Sequence, residues 1–312
     1  MDNPFEPDIK VKNILTELKK YFKLAQWLLL LGLLSFFRAE ATSPEFDAEH
    51  AFQYLVRQCE FGPRNPGSNG HENARKYLIS ELKQYSKEVV AQEFEYSDKQ
   101  KSVKLTNIIA RFGKKGGEKI LLSAHWDTRP FAEHDANPEK RNTPILGAND
   151  GASGVAVLLE IAKILKSNSP ENEVFIVLFD GEDYGKNTDE MFLGSRYFAK
   201  NMAQWKPDYG ILLDMIGDKE LDLPIEQLSF RAAPDLTRKV WQTANDLGLR
   251  AFHPQLGPAV MDDHVSLIEA GVPCIDIIDF DYPYWHTTED TPDKCSAESL
   301  ATVGKLILAL IY

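Results

Sequence analysis

The apolar run at 174–178, Val-Phe-Ile-Val-Leu, constrains the fold more than any other stretch. It has no polar side to turn toward water, which suits a strand covered on both faces of a sheet. Such sheets are largely parallel, because the helices that join parallel neighbours also supply the cover. The run ends in Phe179-Asp180-Gly181-Glu182-Asp183-Tyr184. Adjacent acids at the mouth of a buried strand lose hydration, so they call for a metal, a shared proton, or both. The reading of this stretch is that one acid binds a metal and its neighbour moves a proton.

The rest of the chain repeats that layout. A helix is expected over 43–61, with Ser43 or Asp47 as N-cap, then a Gly- and Pro-dense loop over 61–68. Ala74, Tyr77, Leu78 and Leu82 recur at helical spacing within 70–85. A polar, β-leaning stretch precedes strands over 105–112 and 120–124, with Lys114-Lys115-Gly116-Gly117 as a hairpin-like turn between them. The second of these strands ends in His125-Trp126-Asp127-Thr128. The loop 129–145 is rich in Pro, Asn and Asp, and loops of this length are often functional.

The turn from Gly147 to Gly154 aims Asp150 at the start of an apolar helix over 155–165, a geometry that needs glycine. An insertion to Met191, a helix over 195–202 and a strand over 209–213 ending at Asp214 follow. Further on come a helix over 235–247, a short helix opened by Asp262-Asp263-His264, and a strand over 272–278. An aromatic loop over 282–290 and an amphipathic helix Ala297–Ile311 complete the pattern. This alternation predicts an α/β fold, a mixed and mostly parallel central sheet sandwiched by helices. Ligands of such sheets bind outside the carboxyl ends of the strands. His125, Asp150, Glu182, Asp183, Asp214 and His286 all fall there. One acid after one strand is ordinarily a helix cap; this many in the same place exceed capping.

The net charge of −12, with 47 acids against 35 bases and no Lys/Arg block, argues against a nucleic-acid surface. Residues 24–37 form an apolar block of about 14 residues preceded by Lys19, Lys20 and Lys23, a length that suits a signal-peptide core better than a membrane span. Ala39-Glu40-Ala41 offers a cleavage site. We therefore expect 1–41 to be a signal peptide or an N-terminal membrane anchor, 42–312 to be a single catalytic domain, and the protein to be exported. The three cysteines have no CxxC spacing. Cys274 reads as a core residue, and a Cys59–Cys295 disulfide is a pairing the sequence leaves open.

Carboxylates and imidazoles without cysteines suit zinc in a catalytic role, with three protein ligands and one open position. Asp150, Asp183 and His286, from three separate loops, make such a set. His125-Trp126-Asp127, Asn149-Asp150-Gly151, Asp180-Gly181-Glu182-Asp183, Leu213-Asp214-Met215-Ile216-Gly217, Asp262-Asp263-His264 and Trp285-His286-Thr287 occur in that order. Together they resemble the zinc aminopeptidase and glutaminyl cyclase superfamily, and the glutaminyl-peptide cyclotransferases most closely, from about Glu49 to the C-terminus.

The resemblance implies a zinc-exopeptidase-like α/β/α domain with one zinc on Asp150, Asp183 and His286. It implies Glu182 as the proton shuttle, Asp214 and Asp262 as hydrogen-bonded catalytic acids, and Trp285 in the pocket. Tyr282 is expected to wall that pocket beside Trp285. The implied substrates are peptides and proteins with N-terminal glutamine, converted to pyroglutamate with loss of ammonia. The alternative is a two-zinc aminopeptidase of the same superfamily, with His125 and Asp214 as further ligands and Asp150 bridging. His125 and Asp127 are thus expected either at a second metal or behind the first. Animal cyclases carry Glu where this chain has Asp183, which makes it similar to a bacterial-type cyclase.

Overall fold

The strand 174–179 is buried along its whole length, and its side chains divide between two cores. Val174, Ile176 and Leu178 join one apolar cluster; Phe175, Val177 and Phe179 join the other. A period of two with both phases apolar is what a strand covered on both faces requires. The structure, a computed structural model, describes Lys20 and residues 43–97 and 102–312. Apart from Lys20, the leader or anchor expected over 1–41 lies outside the described residues. Ser43–Tyr312 forms one compact unit. Among the described residues no helix is long and apolar enough to cross a membrane.

In chain order the described elements are α1 (Ala48–Cys59), α2 (Asn69–Tyr85), β1 (Glu88–Ser97), β2 (Ser102–Gly113), β3 (Lys119–His125), α3 (Ala152–Ser167) and β4 (Glu173–Phe179). There follow α4 (Leu193–Asn201), β5 (Tyr209–Asp214), β6 (Leu223–Ile225), α5 (Gln227–Ala232), α6 (Pro234–Asp246), β7 (Phe252–Leu256), α7 (Asp263–Glu269), β8 (Cys274–Ile278) and α8 (Ala297–Ile311). Of the two N-caps offered for α1, Asp47 is used: its carboxylate accepts from the amide of His50.

The six-stranded sheet has the order β1-β2-β4-β3-β5-β8, with β4, β3, β5 and β8 parallel and β1 and β2 antiparallel at one edge. The turn at 114–117 is therefore no hairpin. β2 and β3 do not pair, because β4 lies between them, antiparallel to β2 and parallel to β3. A strand apolar on both faces gains most from two neighbours, and that outweighs the local turn signal. β6 and β7 form a separate two-stranded parallel ribbon. β1, α5, β6 and β7 were not delimited by the sequence patterns.

Helices α1, α2, α3, α6 and α8 pack on one face, α4 and α7 on the other. The connection from β3 through α3 reaches β4 on one side of β3. The next, through α4, reaches β5 on its other side. The carboxyl end of β3 is thus a topological switch point, where a crevice opens. Across it the registers align the strand ends: His125 pairs with Phe179, and Asp214 with Ile278. Cys59, Cys274 and Cys295 are all buried free thiols, so no Cys59–Cys295 disulfide is present.

Candidate metal centre and active site

Asp150 is delivered by the turn before α3. Gly151 adopts φ +103, and a Cβ there would lie 2.6 Å from the Asp127 carbonyl oxygen and 3.1 Å from Cε1 of His125. Only glycine lets the β3 end and the α3 start approach so closely. The amides of Asn149 and Asp150 donate to the carboxylate of Asp290 at 2.8 and 3.1 Å. From below, the buried guanidinium of Arg64 donates to the carbonyls of Trp126, Leu146 and Gly147, tying the β3 end to the Asp150 turn.

The three acids after β4 take different roles. Asp180 turns back into the fold, accepting from the Thr106 amide at 2.6 Å and pairing with His71 at 2.8 Å. His71 in turn stacks on Trp126. Gly181, at φ +76, reverses the chain so that Glu182 and Asp183 face the crevice. Asp127 holds them there, its carboxylate accepting from the Glu182 amide at 3.1 Å and the Asp183 amide at 3.3 Å. His286 arrives from the loop after β8 with φ +53, and Met215, just after Asp214, has φ +44. Strained non-glycine backbone of this kind concentrates at functional sites.

These loops bring together candidate ligands from distant parts of the chain. One donor atom each from Asp150, Asp183 and His286 lie within 4.8 Å of one another. His286 Nε2 is 3.5 Å from Asp150 Oδ2 and 3.4 Å from Asp183 Oδ1. On the other side His125 Nε2 is 3.2 Å from both Asp150 Oδ1 and Asp214 Oδ1. His125, Asp150 and Asp214 form a second such group, and His125, Glu182 and Asp183 a third. Asp150 Oδ2 and Asp183 Oδ2 are buried with no hydrogen-bond partner. Buried carboxylate oxygens left bare are costly. Their convergence with an imidazole, in a set of N and O donors without sulfur, fits a zinc ion.

The charges are unevenly held. Burial, and then the charge of Asp183, push the Asp150 carboxyl up to about 7. Burial acts the same way on Asp183, but His286 and Arg129 outweigh it and hold that carboxyl below the usual range. Burial, followed by the Asp183 charge, keeps Glu182 strongly disposed to carry a proton. Two adjacent carboxylates thus separate into one held ionised and one whose proton affinity is raised, the division expected of ligand and acid–base groups.

Of the expected pair, Asp214 faces His125, and Asp262 groups with His264 and Asp276, their donor atoms within 4.8 Å of one another. Burial, then the charge of Asp214, raise Asp262 to about 7. His264 lies between Glu226, at 3.3 Å, and Asp276, at 3.8 Å, and so bridges two buried acids. Trp285 lies over His286, ring centroids 4.1 Å apart, with His134 and Phe280 against its other sides. Tyr282 is 3% exposed, lies in the cluster of Met215, Val260 and Ile278 against which Trp285 packs, and donates its hydroxyl to Asp290 at 2.8 Å. Arg64, Arg129, Glu133, Asp276 and Asp290 carried no pattern that marked them individually.

The family model described as Peptidase family M28 matches residues 107–311. Solved structures similar to this chain include glutaminyl cyclases from Bacteroides thetaiotaomicron, 36% identical with TM-score 0.83, and from Tannerella forsythia, 38% identical with TM-score 0.83. Each comparison covers 86% of this chain and 99% of the other. A leucine aminopeptidase precursor from Bacteroides thetaiotaomicron is 37% identical, with TM-score 0.84, over 86% and 98% of the two chains. Aminopeptidase YwaD of Bacillus subtilis (strain 168) is 27% identical over 209 residues, 62% of this chain; the match spans only 40% of that relative's length. The matched span runs from within β2 to the last residue of α8, so it takes in every residue converging on the crevice, and the chain belongs to peptidase family M28.

Proposed function

We propose that this protein is a glutaminyl-peptide cyclotransferase that converts N-terminal glutamine of peptides and proteins to pyroglutamate and releases ammonia. The observation that carries the reading is the pairing at the β4 mouth. The carboxyl of Glu182, its proton affinity raised by burial and by the Asp183 charge, stands beside a three-ligand group of Asp150, Asp183 and His286. The likeness to bacterial glutaminyl cyclases over most of the chain supports it.

Zinc held by Asp150, Asp183 and His286 would supply Lewis-acid polarisation of the glutamine γ-carbonyl. Glu182 takes one proton from the α-amine as that nitrogen forms its bond to the γ-carbon. It returns the proton to the departing amide nitrogen as the C–N bond breaks, so that ammonia leaves and the ring nitrogen keeps its remaining hydrogen. Trp285, its ring tilted against that of His286, gives the glutaminyl side chain an apolar wall that keeps competing water away. Asp127 acts through the backbone, fixing the amides of Glu182 and Asp183 so that each carboxyl keeps its place.

The group of His125, Asp150 and Asp214 favours a second reading, a two-zinc aminopeptidase with Asp150 as the bridge. Metal content separates the two. Purified protein equilibrated with zinc and freed of excess is expected to hold close to one zinc per chain. Close to two per chain would favour the peptidase.

A further inference from the structure

The loop between β3 and α3 reaches over the crevice and touches two of the three proposed zinc ligands. We propose that Glu133, held in place by Arg129, is a positioning residue that orients His286 for the metal, while the same arginine orients Asp183. The inference rests on the zinc site proposed above and extends it to Arg129 and Glu133.

Arg129 is buried, and its Nε and Nη2 both donate to Oε1 of Glu133, at 2.9 and 2.6 Å. Its Nη1 donates to Asp183 Oδ1 at 3.3 Å and to the Gly185 carbonyl at 2.8 Å. Glu133 Oε1 in turn lies 3.3 Å from Nδ1 of His286, an ion-pair contact and the approach of a carboxylate to a buried Nδ1 that makes no hydrogen bond of its own. An imidazole that directs Nδ1–H at a carboxylate keeps its lone pair on Nε2. Nε2 is the nitrogen that faces Asp150 and Asp183.

On Asp183 the arginine engages Oδ1 and leaves Oδ2 without a partner. One guanidinium therefore selects the free donor atom of two ligands. The backbone joins the same strap: the amide of His134 donates to the His286 carbonyl at 3.2 Å. That bond fastens a residue whose positive φ must be maintained by its surroundings.

The test is the zinc affinity of the full chain, measured by competition with a chromogenic chelator using zinc alone, without substrate. Glu133→Ala is expected to weaken zinc binding by about 10–100-fold, the range for loss of an outer partner of a metal-bound histidine. Glu133→Gln, whose amide oxygen can still accept Nδ1–H and which keeps the volume, is expected to recover most of that loss. It also serves as the reporter if the alanine variant does not fold. In a His286→Ala background, Glu133→Ala is expected to add no further weakening.

A folded Glu133→Ala protein with zinc affinity within about twofold of wild type, against that 10–100-fold expectation, overturns the proposal. So does an equal loss in the His286→Ala background, which would mark general collapse of the loop. Failure of the zinc site itself looks different: His286→Ala alone would then leave zinc binding unchanged.

Discussion

Glu182→Gln is expected to abolish turnover, with kcat lower by about 10²–10⁴-fold, while zinc content stays near the wild-type value. The two acids after Gly181 are neighbours in sequence but not in chemistry. Asp183 is kept ionised by His286 and Arg129, against its own burial. Glu182 has His125 at 3.9 Å, but burial together with the Asp183 charge outweighs it and keeps Glu182 inclined to a proton. A group that must accept and then return a proton near neutral pH needs such an upward displacement; a metal ligand needs the reverse. Glutamine keeps the size of the side chain and its hydrogen-bonding reach but cannot carry the proton. Metal analysis of the purified variant beside its rate constant is the check. Loss of zinc in Glu182→Gln would mean that the two acids are assigned the wrong way round.

His286→Ala is expected to remove both zinc and activity, with a larger fall in zinc affinity than the about 10–100-fold that follows loss of an outer partner. His286 is the only imidazole in the proposed ligand set, and its removal leaves Asp150 and Asp183 facing one another across buried space. Melting curves give an independent reading. A ligand that binds only the native state at 100 times its Kd adds about 2.7 kcal/mol of stability. Added zinc should therefore raise the Tm of wild type and leave that of His286→Ala in place. A zinc-dependent rise of equal size in both proteins would move the metal to the His125–Asp150–Asp214 group.

Much of this arrangement is legible in the amino-acid sequence. The run at 174–178 announced a strand covered on both faces, and the structure divides its side chains between two cores accordingly. Asp150, Asp183 and His286 stand at strand ends and in a recognisable motif order, and their donor atoms converge. The order of strands was less accessible, since the two glycines at 116–117 look the same whether the flanking strands pair or not. The insertion of β4 between β2 and β3 is a tertiary choice. β1 is hard to delimit because, as an edge strand, it has no buried position, and its apolar residues are mixed with exposed acids.

Side-chain direction was harder still. Asp180, Glu182 and Asp183 are equivalent acids on paper, and the turn at Gly181 sends the first to His71 and the others to the crevice. Tyr282 and Trp285 are equivalent aromatics of one loop on paper; in the fold the tyrosine hydroxyl donates to the Asp290 carboxylate and the tryptophan lies against His286. Arg129 and Glu133 sit in a loop recognised only for its length. Their pairing with Asp183 and His286 depends on contacts more than 50 residues apart in sequence, and no local pattern encodes those.

The cyclase assignment is tested most directly by giving the zinc-loaded protein a Gln-initiated peptide and, separately, Leu- and Ala-initiated peptides, and following ammonia, peptide mass and free amino acids together. The account predicts ammonia from the Gln peptide alone, a product lighter by one ammonia, and no free amino acid from any of the three. Release of free Leu, Ala or Gln, without ammonia, would contradict it and make the protein an aminopeptidase.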